Sequence, residues 1–474
     1  MRRNLSRTPD KNLMAVMKDL KLSRRQMLAA LSVGGATAGV AACGSPTAAS
    51  GDGDGDPNVR SEFSQADINV PSEYSDRTPV LFWVPLGDHI YEAIDARRTA
   101  FNEEQDEIYV GIEHVGTYED LNTQFTAAIQ ARQVPDIVLF PEMQWMQFYL
   151  SDNLAVLDEY FDDEWNMELY LDQYLDETRA GDETICIPFA RSNPLFYYNR
   201  TLFEELGLPP EGPSTWEEFA EMGPEFEGAE VAGQSVSPFA FASDAWFPNS
   251  HVWAWGGQWS EELEVTADSD PVREWLTFKA EFIHDDHYGY LAQESTNDFV
   301  SGLAACVMAS TASLAGLTAD ADFELGATYL LGHDDAGPPV PNGGSAFQMV
   351  KTESKERQNA VAEFFRFLSR PEQAAQYHLD TGYVPITHEA VEHELTQDNI
   401  DEDPNFGIAM DQIENAQIVD PAMWFTSGTQ AVAQAVGEVY GDNAEVDAVV
   451  GRLQSELESV IDDNREGLEE VLSV

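Results

Sequence analysis

Pro341-Asn342-Gly343-Gly344-Ser345-Ala346-Phe347-Gln348-Met349-Val350, read on to Thr381-Gly382-Tyr383-Val384-Pro385-Ile386-Thr387, is the stretch that decides the fold. Its paired glycines, Gly343 and Gly344, let backbone amides approach another molecule with no Cβ in the way. Side chains then alternate. Ala346, Gln348 and Val350 face one way and Ser345, Phe347 and Met349 the other, which predicts a strand. Val361, Phe364, Phe365 and Leu368 recur at i, i+3, i+4 and i+7, the stripe of a helix packed on one face. Pro371 opens a second helical run to Leu379, and Gly382 is positioned to end it as a left-handed cap. Tyr383 stands directly beyond that cap, where its phenol can leave packed core for a cleft. The bland alternative is a strand-helix-turn unit with Tyr383 in the core.

Working outward, folded structure is expected from Pro79-Val80-Leu81-Phe82-Trp83-Val84, a short apolar strand. A helix over 91–104, a strand over 108–115, a helix over 118–132 and a buried strand over 135–140 follow. That alternation predicts a parallel α/β lobe with ligand groups at the carboxyl ends of its strands. Tyr118 and Glu119 lie at such an end. After Ile185-Cys186-Ile187-Pro188 the chain is expected to cross into a second lobe, with Arg191-Ser192-Asn193 at the crossover. There, 195–198 reads as a strand, 202–206 as a helix stopped by Gly207, and Ser214 or Thr215 as the cap of another helix. The strand 304–309 leads into Ser310-Thr311-Ala312-Ser313, small hydroxyl residues before a helix. Residues 325–331 are expected to return the chain to the first lobe. Helices over 429–440 and 446–461 complete the second.

Composition narrows the class. At 474 residues, 43% hydrophobic and 11% aromatic, the chain has enough apolar content for globular domains. With 25 basic and 85 acidic residues it carries −60, which excludes affinity for nucleic acid or anionic headgroups. Residues 1–42 hold eight basic and two acidic residues, so without them 17 stand against 83, or −66. Only Lys279, Lys351 and Lys355 remain as lysines beyond residue 42. This balance is expected of a protein adapted to a salty exterior, where self-repulsion is screened over about 3 Å at molar salt.

Ser23-Arg24-Arg25-Gln26-Met27-Leu28 is a twin-arginine leader pattern, followed by an uncharged run to Ala42. The run is shorter than the roughly 20 apolar residues of a membrane span. Val40-Ala41-Ala42-Cys43-Gly44 is similar to a lipobox, so Cys43 is expected to carry a lipid anchor after export. Residues 43–78 read as a disordered acidic tether. Asp52-Gly53-Asp54-Gly55-Asp56 lacks the turn glycine of a calcium loop, because Pro57 takes that place. Cys186 and Cys306 could pair or remain buried thiols.

The run Gly344-Ser345-Ala346, residues 355–375 and Thr381–Thr387 resemble the family 1 extracellular solute-binding proteins of ABC importers, in the glycerol-3-phosphate/sugar-binding branch. Leu81-Phe82-Trp83, Phe101-Asn102, Ile187-Pro188-Phe189, Ser192–Asn199 and Thr215–Phe219 agree in family order. The resemblance implies a two-lobed α/β fold with the ligand cleft between lobes. Lobe 1 is then 79–188 plus 331–378, and lobe 2 is 189–330 plus 379–474. It implies Glu119 for ligand hydroxyls, with Ser192, Gly343, Gly344 and Tyr383 at the site. Ring stacking on a sugar's C–H face adds Trp246 and Trp255. Ser310, Thr311 and Ser313 suit an oxygen-rich ligand at helix N-terminal amides. The family's phosphate-pairing arginine falls on Val432, and burying a phosphate without a cationic partner is costly. A sugar or polyol is therefore expected, with glycerol-3-phosphate as the alternative.

An extracellular binding component, with permease subunits and a separate ATPase as partners, competes with a secreted carbohydrate-active enzyme. His388 and His393 are five apart and miss the zinc-protease spacing, and His284-Asp285-Asp286-His287 reads as a solvated loop. No phosphate-binding loop occurs. No catalytic residue, metal or cofactor is expected, and the protein is read as a monomer at the outer face of the cell membrane.

Overall fold

A computed structural model describes residues 61–334, 337 and 340–472. The leader, Cys43 and the run 52–56 lie outside the described residues. Residues 61–78, expected to belong to the tether, are folded instead. Ser61–Glu62 pairs in parallel with Gln133–Val134, and Phe63, Ile68, Val70 and Tyr74 pack onto the core. Those four apolar side chains supply the surface that the upstream Gly/Asp run lacks.

Two five-stranded sheets organise the rest. The first contains β1 (Thr78–Val84), β2 (Ile108–His114), β3 (Ile137–Pro141), β4 (Cys186–Ser192) and β10 (Gly343–Met349), in the order β2-β1-β3-β10-β4. The second contains β5 (Pro194–Asn199), β6 (Ser237–Phe241), β7 (Gly289–Leu291), β8 (Ala304–Ser310) and β9 (Leu325–Thr328), in the order β7-β6-β8-β5-β9. Each sheet has one strand antiparallel to both neighbours, β10 in the first and β5 in the second. These are the strands by which the chain enters each lobe from the other. The remaining pairings are parallel.

Helix α1 (Asp88–Glu104) connects β1 to β2, and α2 (Tyr118–Ala131) leads from β2 towards β3. Thr117 caps α2 with a reciprocal capping box to Asp120. In lobe 2, Trp246 precedes α3 (Phe247–Ala254), and α4 (Asp270–Ala280) packs against the C-terminal helices. Helices α5 (Lys355–Leu368) and α6 (Pro371–Thr381) carry the predicted apolar stripe, with Val361, Phe364, Phe365 and Leu368 buried. Gly382 ends α6 at φ 78°, the left-handed cap expected there.

One strand differs from the sequence reading. Leu325–Thr328 does not return to lobe 1; it pairs with β5 at the edge of the second sheet, and Gly332 still bridges to Thr215. The apolar run fits either sheet equally well, so periodicity alone could not assign it. Helices α7 (Thr426–Asp442) and α8 (Val446–Leu472) pack on each other and on α4 in lobe 2. Near its end α8 reaches lobe 1, where Gly467 lies against Leu150. Cys186 sits in the first sheet and Cys306 in the second; both are buried free thiols.

Candidate functional site

The site builds from the two entry strands. In β4 and β10, Ser192 stands opposite Gly343 and Arg191 opposite Gly344. Gly344 has φ +78°, and a Cβ there would run into the carbonyl oxygen of Ala190. A Cβ on Gly343 would overlap the indole of Trp246, which arrives from lobe 2. The indole Nε1–H donates to the carbonyl of Asn342 at 3.2 Å. Val384 N–H donates to Arg191 O at 2.8 Å, which seats Tyr383 beside the same strand pair. Thr311 N–H donates to Asn193 O at 3.0 Å, joining the end of β8 to the crossover. Ser192, Gly343, Gly344, Tyr383, Trp246, Ser310 and Thr311 therefore come together around residues 190–194.

Three expected residues lie differently. Glu119 is exposed in the first turn of α2, because Tyr118 turns inward and the next residue is rotated about 100° round the helix. Trp255 is buried in lobe 2, stacked on His333 at 4.3 Å and 11°, and lines an aromatic box around Lys279 Nζ. Ser313 is half-buried two residues beyond Thr311, directly before the short helix Leu314–Asp320.

Several buried polar groups meet at this junction. The Thr311 hydroxyl and the amide oxygen of Asn342 are buried without a hydrogen-bond partner, and the buried hydroxyls of Tyr118 and Ser345 have only each other and Tyr383 beside them. Tyr118 faces Ser345 and Tyr383, and burial pushes its phenol up to about 12. Tyr383 is likewise raised well above its ordinary value, by burial and by the neighbouring Tyr118 and Tyr377, and it stacks on the Tyr377 ring at 5.8 Å. Buried groups of this kind are costly to leave unsatisfied, so several converging in one place mark where a hydrogen-bonding molecule fits.

Two acids at this junction were not expected from the sequence. Glu142 follows β3 directly, with φ 43°, and its N–H donates to Gly344 O at 3.3 Å. Part of its surface stays accessible, yet burial pushes its carboxyl up to about 8, with Arg191 opposing and Glu177 and Asp244 adding to the rise. Asp244 caps α3 by accepting from Trp246 N–H at 2.7 Å and Phe247 N–H at 2.9 Å. Burial raises it to about 6. Arg191, expected at the crossover, brings a guanidinium there. It is ion-paired with Glu177, and its charge lies 5.2 Å from the Tyr174 ring centre. Val432 is fully buried in the apolar core. The one available signal for Glu142 was its place at the carboxyl end of a buried parallel strand.

A surface cavity of about 570 Å³ lies elsewhere on lobe 1, lined by Tyr149, Asp152, Glu183 and Lys351. Its polar groups already pair with one another, as Lys351 with Asp152 at 2.5 Å and Tyr149 with Glu183 at 2.8 Å.

Residues 96–407 match the family of bacterial extracellular solute-binding proteins. The sn-glycerol-3-phosphate-binding periplasmic protein UgpB of Escherichia coli is 26% identical over 372 residues, 74% of this chain and 83% of that protein. Its Salmonella typhimurium counterpart is 27% identical over the same span. The crystal structure of UgpB from Mycobacterium tuberculosis in complex with glycerophosphocholine is similar at a TM-score of 0.77 and 29% identity, covering 82% of this chain and 99% of that one. The GacH receptor of Streptomyces glaucescens shares the fold, with a TM-score of 0.72 at 18% identity and coverage of 82% and 99%.

Proposed function

Because the chain belongs to the bacterial extracellular solute-binding protein family, we propose that it captures a sugar or related polyol between its two lobes and delivers it to the permease subunits of an ABC importer. The observation that carries this reading is the set of buried polar groups around the crossover, Thr311 and Asn342 without a partner and Tyr118 and Ser345 with only each other and Tyr383 beside them. Hydroxyl groups are both donors and acceptors, so a polyol can satisfy all four. Binding contacts from both lobes favour the closed form, and the ligand shifts that equilibrium by its differential affinity for it. The named relatives bind; no covalent step is needed, and the protein acts without catalysis.

Glycerol-3-phosphate is the second reading, favoured by the curated relatives. Against it stand the commitment of Arg191 to Glu177 and the two further acids at the junction. A thermal-shift screen of sugars and polyols in molar salt tests the proposal. At least one should raise the Tm; stabilisation by none, or turnover of glycosides or esters by the purified protein, overturns it.

Twin-arginine export, salt adaptation and a lipid anchor on Cys43 complete the reading, with the protein held as a monomer at the outer membrane face. Cys43→Ala should release the protein into the medium, and continued membrane association of that variant would contradict the anchor.

A further inference from the structure

A cavity of about 800 Å³ lies at the end of the lobe 2 sheet opposite the crossover. It opens at Ser237, Tyr288 and Leu303, the first residue of β6 and those just before β7 and β8. The seven residues of β8 then run about 20 Å to Ser310 at the crossover. An occupant here leaves the interlobe junction free, whatever solute that junction takes.

Buried Phe226, Val236 and Pro238 form the floor of the cavity, and the half-buried rings of Tyr288 and Tyr290 form its wall. Tyr288 is fixed in place. It stands edge-on to Phe282 at 5.6 Å and lies against Gly223, where a Cβ would overlap its ring. Leu303 stays 37% exposed at the rim, one of three large apolar side chains so exposed among the described residues. On a surface this acidic, an apolar patch with a preformed wall marks a place where another molecule sits.

The charges show what kind of molecule fits. Glu227, Asp286 and Asp298 reach the cavity from three separate segments, and no lysine or arginine lines it. None of the three belongs to an ion pair among the described residues; Asp298 accepts from the Tyr290 hydroxyl at 2.8 Å. A small molecule with one cationic centre meets one of these acids, whereas a chain bearing several basic side chains meets all of them. Arginine suits both surfaces, because its guanidinium pairs with a carboxylate in fork geometry and stacks on an aromatic ring.

We propose that this cavity is a docking site for an extended basic segment of another polypeptide, in which arginines alternate with apolar residues. The arginines meet Glu227, Asp286 and the Tyr290–Asp298 pair, and the apolar side chains fill the floor beside Leu303.

Fluorescence anisotropy on the full chain tests this with the labelled peptide Leu-Arg-Phe-Arg-Leu-Arg. Molar sodium chloride screens the general negative field, so that only a shaped site retains the peptide. The peptide should bind about ten-fold tighter than versions with serine for each apolar residue or glutamate for each arginine. Glu227→Gln combined with Asp286→Asn should weaken binding by a similar factor, and so should Leu303→Ser. All three side chains are exposed, so the Tm should hold. Glu103→Gln with Glu107→Gln removes the same charge from exposed positions on lobe 1 and should change nothing. Absence of binding overturns the proposal, as does binding that survives the lobe 2 variants or falls equally in the lobe 1 control. Equal affinity for the serine peptide would remove the apolar floor from the account. Binding of benzamidine, a single cation on a ring, as tight as that of the peptide would overturn the polypeptide assignment.

Discussion

The indole of Trp246 fills the space that a side chain at position 343 would need, so the glycine of lobe 1 and the tryptophan of lobe 2 fit as a matched pair. The indole Nε1–H completes the contact by donating to Asn342 O.

Gly343→Ala should therefore displace the ring. Overpacking of this sort costs about 1–3 kcal/mol, so a lower Tm and weaker solute binding are expected together. Adding Trp246→Leu should restore the Tm and leave binding weak. A Gly343→Ala protein with unchanged Tm and affinity would show that the pair is not tightly fitted.

The fold was legible because its signals are local. Gly382 needs a left-handed φ and has it, Thr215 caps its helix, and the stripe from Val361 to Leu368 is buried. The meeting of Gly343, Gly344 and Tyr383 at the crossover was legible, because backbone dictates it. It was not legible at Glu142, one acid among 85, whose role depends on a left-handed φ and on a strand more than 200 residues away. Nor could spacing separate Trp246 from Trp255. They lie at opposite ends of one short helix, and tertiary packing alone sends the first to Gly343 and the second to His333.

The Arg191–Glu177 pair is almost wholly buried, at 1% and 5% side-chain exposure. Removing one partner of such a pair leaves the other charge unpaired and costs about 3–5 kcal/mol. Arg191→Leu should lose stability in that range by urea denaturation in molar salt, and Arg191→Leu with Glu177→Leu should lose much less. Equal losses for the single and double variants would mean that the charge pairing is not what matters.

Burial holds the carboxyls of Asp244 and Glu142 up at about 6 and about 8. Both are raised above their unfolded values, so their contribution is fully present below the ordinary carboxylate range. It is lost as pH rises through about 6 for Asp244 and about 8 for Glu142. The Tm of the solute-free protein, measured at constant molar salt, should fall across this window. Glu142→Gln should flatten the upper half. An unaltered slope in that variant would remove Glu142 as the cause.

A charge of −66 beyond residue 42 should loosen the fold when screening is withdrawn. Far-ultraviolet circular dichroism should lose signal as salt falls from molar to millimolar. A constant signal would contradict adaptation to high salt.

On the reading proposed above, the junction around Ser192, Gly343, Thr311 and Tyr383 takes a sugar or polyol in preference to a phosphomonoester. Titration calorimetry in concentrated salt tests it most directly, with the best sugar of the thermal-shift screen compared against sn-glycerol-3-phosphate. Tighter binding of the sugar is expected, because Arg191 is held by Glu177 and no other cation among the described residues acts on Glu142 or Asp244. Tighter binding of sn-glycerol-3-phosphate than of any sugar would contradict it.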